Sequence, residues 1–202
     1  MVDGKRIGFY GLSYGGETAV RVPAILERYA LSICSGDFNN WTQKVAATDQ
    51  RFSFMYTIEW EMPYFDMGST FDYAEMTYLM VPRPFMVERG HHDRVGQDQW
   101  VAHEYAKVRW LYTQFDLADK TEIEYFNGGH TISGKGTFKF LREHLNLPER
   151  NAQAAVRIND NRDASIPRTG SHRSATEAPM KPIQTDLQSG SQSDPFNSRL
   201  LE

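Results

Sequence analysis

The chain has 202 residues, of which 40% are hydrophobic and 24% are charged, and its formal net charge is −4. Acidic residues (26) outnumber Lys and Arg (22), and no run of 18 apolar residues occurs, so neither a nucleic-acid partner nor a membrane partner is predicted. The single cysteine, Cys34, excludes an intramolecular disulfide and a cysteine-based metal site. These properties are typical of a globular protein with one hydrophobic core.

A serine near the start of the chain lies between a segment that predicts a strand and a segment that predicts a helix. Residues 7–10 form an apolar run that predicts a strand, and residues 17–29 predict a helix. The pentapeptide GLSYG, centred on Ser13, joins them. A strand, G-x-S-x-G and a helix in this order are typical of a nucleophile elbow, a strained turn that presents a serine hydroxyl. We expect Gly11 and Gly15 to be necessary, because a Cβ at either position would collide with the neighbouring segment.

The segment after the elbow predicts an amphipathic helix over residues 17–28, followed by a second parallel strand over residues 29–36. Pro23 is expected to kink or shorten that helix. Its apolar positions are expected to face inward, namely Ala19, Val20, Ile25 and Leu26. Its charged positions are expected to face outward, namely Glu17, Arg21, Glu27 and Arg28.

Residues 37–80 do not fit another short strand–helix unit, and they are unusually rich in aromatic residues. The aromatic positions are Trp41, Phe52, Phe54, Tyr56, Trp60, Tyr64, Phe65, Phe71, Tyr73 and Tyr78. One interpretation is an irregular cap insertion whose rings form the wall of a substrate pocket. The alternative is a set of short helices that pack on the core away from the substrate.

A carboxylate that can serve a catalytic serine is expected in a turn after a later strand. Residues 81–88 predict that strand, and the turn RGHHDRV that follows presents Asp93. Asp98 is an alternative acid, although it opens the amphipathic helix predicted over residues 97–115 and lies further from the strand end. Glu88 and Arg89 are expected at the strand end, where they would touch the substrate or take part in a surface ion pair.

A histidine is expected in the loop after the next strand. Residues 120–126 alternate as a strand does, and the glycine-rich loop after them carries His130. The competing histidines are His91, His92 and His103. His91 and His92 next to Asp93 do not predict a metal site, because consecutive side chains point apart. A last helix is predicted over residues 135–145, before a helix-stopping proline.

Residues 151–202 contain one aromatic residue, Phe196, among many polar and charged residues. Such a segment buries too little apolar surface to offset its ordering entropy, so a disordered tail is predicted over residues 149–202. The predicted domain organisation is therefore a partial catalytic domain over residues 1–148, with the candidate cap at 37–80, followed by that tail.

Together, the elbow, the GHHD turn and the GGH loop resemble the dienelactone hydrolase and prolyl-oligopeptidase-like branch of the α/β-hydrolase superfamily, over about residues 2–147. The resemblance implies a mostly parallel sheet flanked by helices. It also implies a Ser13–Asp93–His130 triad that uses no cofactor or metal. The backbone N–H of Tyr14, directly after the serine, would be one donor of the oxyanion hole.

Only a short turn precedes the predicted elbow strand, whereas a complete α/β-hydrolase places several strands upstream. We therefore expect the chain to be the C-terminal half of such a protein, with impaired activity, because an upstream loop supplies the second oxyanion donor. The predicted function is hydrolysis of a small-molecule carboxylic ester by a serine hydrolase. The alternatives are a serine peptidase of prolyl-oligopeptidase type, acting on short peptides, and a truncated remnant without catalytic activity.

Overall fold

The computed structural model describes residues 3–57, 59, 64 and 66–148. Within these residues the backbone forms one parallel sheet with the strand order β1-β2-β3-β4. The strands are β1 (Gly8–Leu12), β2 (Leu31–Ser35), β3 (Phe85–Gly90) and β4 (Thr121–Phe126). All four predicted strands are present, although β3 begins four residues later than expected. The predicted tail at 149–202 lies outside the described residues.

Each pair of consecutive strands is joined by a helical crossover, as parallel pairing requires. The helices are α1 (Tyr14–Ile25), α2 (Trp41–Ala46), α3 (Tyr73–Tyr78), α4 (Asp98–Gln114) and α5 (Lys135–His144). Because all the strands run in the same direction, the segments that follow them emerge at one edge of the sheet. That edge carries the residues singled out by the sequence.

Alternate side chains of the strands pack against different helices. Cys34 and Val87 belong to the larger core cluster, which α1, α3 and α4 cover. Ile33 and Met86 belong to a second cluster, which Phe140 of α5 completes. The sheet therefore has helices on both faces, in agreement with the predicted fold class.

Helix α1 differs from its predicted orientation at both ends. It stops at Ile25, so Ile25 and Leu26 are 72% and 45% exposed rather than inward-facing. Glu17, expected on the outside, is only 1% exposed. Pro23 cannot donate a hydrogen bond to the carbonyl of Ala19, and the hydroxyl of Ser32 on β2 donates to that carbonyl instead, at 2.6 Å.

The aromatic insertion contains both environments that the sequence left open. Trp41, Phe54 and Tyr73 are buried, and their rings contact one another at centroid distances of 6.1 and 5.7 Å around Trp41. Tyr64 and Phe71, in contrast, are more than two-fifths exposed. The buried rings belong to the core, and the exposed ones remain available for a pocket wall.

Candidate active site

Ser13 occupies a strained turn between β1 and α1. Its backbone angles are φ 61° and ψ −124°, a region that residues with a side chain rarely adopt. The surrounding structure holds this conformation, because the N–H of Ser13 donates to the carbonyl of Ser35 on β2 at 3.0 Å. Strain of this kind persists mainly at functional sites.

The glycines around Ser13 have unequal roles. A Cβ on Gly11 would lie 2.0 Å from the carbonyl oxygen of Gly15, and a Cβ on Gly16 would lie 2.5 Å from that of Ser35. Both approaches are far below van der Waals contact, so the elbow requires glycine at these two positions. The expectation for Gly15 is wrong, because a Cβ there would meet no atom within 4 Å.

Asp93 and His130 form a direct pair. The Nδ1 of His130 lies 2.9 Å from Oδ2 of Asp93, and the other carboxylate oxygen accepts the N–H of Val95 at 2.9 Å. Asp93 is 3% exposed, whereas the side chain of His130 is 35% exposed. A buried carboxylate thus holds an imidazole that solvent and a substrate can reach.

Gly36 brings the elbow and this pair to the same edge of the sheet. The residue has φ 63°, directly after β2. A Cβ on Gly36 would lie 2.9 Å from Leu12, 3.0 Å from Asp93 Oδ2 and 3.1 Å from His130 Nδ1. Leu12 immediately precedes Ser13, so the three residues predicted as a triad surround this turn. In the described part of the chain His130 bonds to Asp93 and not to the Ser13 hydroxyl, and such catalytic hydrogen bonds commonly tighten only when substrate binds.

Asp98, the alternative acid, contacts other residues than His130. Asp98 accepts a hydrogen bond from Nε of Arg89 at 2.9 Å and lies 2.6 Å from Nδ1 of His91. These contacts hold the pKa of Asp98 below its usual range despite the opposing effect of burial, first through the hydrogen bond from His91 and then through that from Arg89. Asp93, not Asp98, therefore contacts His130.

The competing histidines also have other partners. His91 stacks on Tyr125 with ring centroids 5.4 Å apart, and His92 lies 2.9 Å from the side-chain oxygen of Asn127. His103 lies on α4 with a side chain that is 65% exposed. Among the described residues no group of three or more His, Cys, Asp and Glu side chains is arranged to hold a metal ion.

Glu88 lies in the interior rather than on the surface or against a substrate. It is 0% exposed, and one carboxylate oxygen accepts the hydroxyls of Tyr10 and Ser35 at 2.9 and 2.6 Å. The other oxygen accepts the N–H groups of Ser133 and Gly134 at 3.1 and 2.9 Å. Glu88 therefore anchors the end of the loop that carries His130, just before α5.

Arg89 is also buried, at 3% exposure, so the expected surface position of these two residues is wrong. Its Nη2 donates to the carbonyls of Asp93 and Gly96 at 3.0 and 2.7 Å. Its Nη1 lies 3.7 Å from the carboxylate of Asp93. Arg89 thus holds the turn that presents Asp93 to His130.

A buried cluster of charged groups behind α1 was not predicted. Glu17 pairs with Arg21, and the hydroxyl of Tyr73 donates to Asp37 at 2.9 Å. Burial raises the pKa of Glu17 to about 7 and raises that of Asp37 well above its usual range. The sequence carried no local signal for this cluster, because Asp37 and Tyr73 are distant in sequence from the pair on α1.

No family model and no curated protein matches the sequence. Solved structures do match. A carbohydrate esterase family 15 glucuronoyl esterase from Caldicellulosiruptor kristjansonii is 19% identical with a TM-score of 0.57, over 75% of this chain and 48% of the esterase.

Two further structures have the same relationship to the chain. A glucuronoyl esterase from Sporotrichum thermophile is 21% identical with a TM-score of 0.57, over 74% of this chain and 46% of the esterase. The acylaminoacyl peptidase of Pyrococcus horikoshii is 18% identical with a TM-score of 0.54, over 78% of this chain and 27% of the peptidase.

These similarities confirm the predicted α/β-hydrolase fold. The chain spans about half the length, or less, of the solved structures that it matches. Within the residues that the structure describes, none of the helices has the length and hydrophobicity that crossing a membrane requires.

Proposed function

We propose that the protein is a serine hydrolase that cleaves a carboxylic ester through an acyl-enzyme. Ser13 is the nucleophile, His130 the general base and acid, and Asp93 the group that orients the imidazole. One observation carries the proposal: a strained serine lies at the same sheet edge as a buried carboxylate that is bonded to an accessible imidazole. Solved structures of similar fold include esterases, which supports this class of reaction.

In this mechanism each ring nitrogen of His130 has its own role. Nδ1 faces Asp93, so the tautomer with a proton on Nδ1 leaves a lone pair on Nε2. Nε2 takes the Ser13 proton while Oγ bonds to the ester carbonyl carbon. The same proton then passes to the departing alcohol as the carbon–alcohol bond breaks. Water repeats these steps and releases the acid. Asp93 stabilises the imidazolium formed in each step.

The negative charge that develops on the carbonyl oxygen needs hydrogen-bond donors. Tyr14 is the first residue of α1, and the first N–H groups of a helix have no partner within the helix. The N–H of Tyr14 is therefore proposed as an oxyanion donor, a role worth about 2.7–4 kcal/mol in known cases.

A peptidase is the second candidate, because an acylaminoacyl peptidase matches with a TM-score close to those of the esterases. Turnover of a p-nitrophenyl ester and of the p-nitroanilide with the same acyl group separates the two. An esterase should hydrolyse the ester faster than the anilide by a margin that exceeds the intrinsic difference in reactivity between esters and amides. A peptidase should hydrolyse both substrates.

The acid assignment is tested by replacing, one at a time, two aspartates that lie five positions apart. Asp93→Asn should lower kcat for a p-nitrophenyl ester by about 10³–10⁴, since the imidazole loses its orienting anion. Asp98→Asn is the matched control and should cost far less, because Asp98 faces Arg89 and His91 instead of His130. An equal or larger loss in Asp98→Asn would overturn the assignment. Activity that survives Ser13→Ala would overturn the serine mechanism itself.

A further inference from the structure

An open pocket of about 450 Å³ adjoins the proposed active site. Its walls come from residues 89–99, which cover the end of β3, the turn after it and the start of α4, and from residues 51–52 of the insertion. Asp93 lines it, and the carboxylate of Asp93 contacts His130. The pocket thus lies one side chain away from the imidazole, and the reaction described above makes no use of it.

The lining of the pocket is cationic, although the chain as a whole carries a net charge of −4. Arg51 and Arg94 are exposed and line it. Among the described residues, the ion pairs within the lining join Arg89 to Asp93 and Asp98 and join His91 to Asp98. Arg51 and Arg94 belong to none of them. The three arginines of the lining, Arg51, Arg89 and Arg94, therefore outnumber its two carboxylates, Asp93 and Asp98.

The two walls are fixed to each other by a buried cation. Lys44 is 1% exposed, and its Nζ donates to the carbonyl of Phe52 at 2.8 Å and to that of Val95 at 2.5 Å. Phe52 immediately follows Arg51, and Val95 immediately follows Arg94. Lys44 thus sets the spacing between the backbones that carry the two arginines. Such supported walls are what a preorganised binding site requires.

We propose that this pocket holds a carboxylate carried by the ester substrate, with Arg51 and Arg94 as its ligands. Guanidinium groups match carboxylates in charge and in fork geometry, which suits this class of anion. The polar lining, which includes Gln97 and Gln99, disfavours a plain hydrocarbon chain. The inference rests on the proposed esterase function, because it assigns a substrate class to that site.

The test compares two esters that differ in one terminal group. p-Nitrophenyl hydrogen adipate ends in a carboxylate, and p-nitrophenyl hexanoate ends in a methyl group. The wild type should favour the adipate ester in kcat/KM, and this preference should fall about tenfold in Arg94→Gln and in Arg51→Gln. Arg28→Gln is the matched control, because this exposed arginine lies beyond α1, before β2. The ratio of the two esters cancels any general loss of activity.

A binding measurement keeps the inference separate from the proposed function. Free adipate should bind the wild type in a calorimetric titration, and about tenfold more weakly in either pocket variant. If adipate binds in this way while neither ester is hydrolysed, the esterase proposal fails and the anion site stands. If adipate binds both variants as tightly as it binds the wild type, the anion site is overturned. Arginine-dependent binding without any change in ester preference would overturn the assignment to the substrate.

Discussion

The buried carboxylate of Glu88 offers the most quantitative test of how the site is held together. Glu88→Gln keeps the size of the side chain and removes its charge. The amide oxygen can still accept the fixed N–H groups of Ser133 and Gly134, and the amide nitrogen can donate to the hydroxyls of Tyr10 and Ser35. The variant should therefore fold.

The cost of that change follows from the bonds that lose a charged acceptor. The carboxylate accepts the four hydrogen bonds just named and a longer one from Thr137 at 3.4 Å. Hydrogen bonds to a charged group contribute about 1.5–3 kcal/mol and neutral ones about 0.5–1.5, and the effects of neighbouring bonds do not add fully. The free energy of unfolding should fall by about 2–4 kcal/mol.

Urea denaturation checks this value, with Glu122→Gln as the matched control on the exposed side of the neighbouring strand β4. The control should stay within about 0.5 kcal/mol of the wild type. Amide hydrogen exchange at Ser133 and Gly134 should also accelerate in Glu88→Gln. If Glu88→Gln and Glu122→Gln unfold at the same urea concentration with equal slopes, the carboxylate does not anchor the His130 loop.

Two further predictions concern α1 and its entry. Gly11→Ala should prevent the elbow from forming, because its Cβ would lie 2.0 Å from a backbone oxygen. Gly15→Ala has free space around its Cβ and should raise the free energy of unfolding by about 0.5–1 kcal/mol. Thermal unfolding measures both variants, and a Gly11→Ala protein as stable as the wild type would contradict the geometry. Glu17 has a folded-state pKa of about 7, above the usual 4.5, so its protonation favours the folded state. The stability this confers is complete below pH 4.5 and lost as pH rises to about 7, and the loss is at most about 3 kcal/mol. Denaturation curves at pH 5 and pH 8 measure this contribution, and Glu17→Gln should remove it. The same change in stability between the two pH values in the wild type and in Glu17→Gln would refute the assignment.

The parts of the site that could be predicted depend on local patterns. The elbow around Ser13 combines a strand signal, two close glycines and a helix signal within a few residues. Asp93 and His130 each follow a strand in a glycine-containing turn, and parallel strands place such turns at one edge. Their contact at 2.9 Å is a tertiary consequence of neighbouring strands β3 and β4.

The predictions that were wrong concern burial that depends on packing between distant segments. Glu17 lies at a polar helical position, and its burial follows from the packing of α1 against other elements, among them α3. Glu88 and Arg89 have the charge of surface residues, and their burial follows from donors on β1, β2 and the loop before α5. No periodicity in the sequence identifies such donors.

One failure had a visible signal. The third strand begins at Phe85 rather than near residue 81. Pro82 and Pro84 cannot donate to a central strand ladder, so the segment before Phe85 was a poor strand candidate. Arg83 instead donates to the carbonyls of Pro23 and Tyr29 at 2.7 and 3.1 Å, around the end of α1.

The central claim is that Ser13 is an activated nucleophile, and a fluorophosphonate probe tests it most directly. The probe should add once to the intact protein, and mass spectrometry of the digest should place the adduct on Ser13. The rate of labelling should drop by at least about 10³ in His130→Ala, because the hydroxyl then lacks its base. An adduct on another residue, or labelling of Ser13 at an equal rate in His130→Ala, would contradict the account.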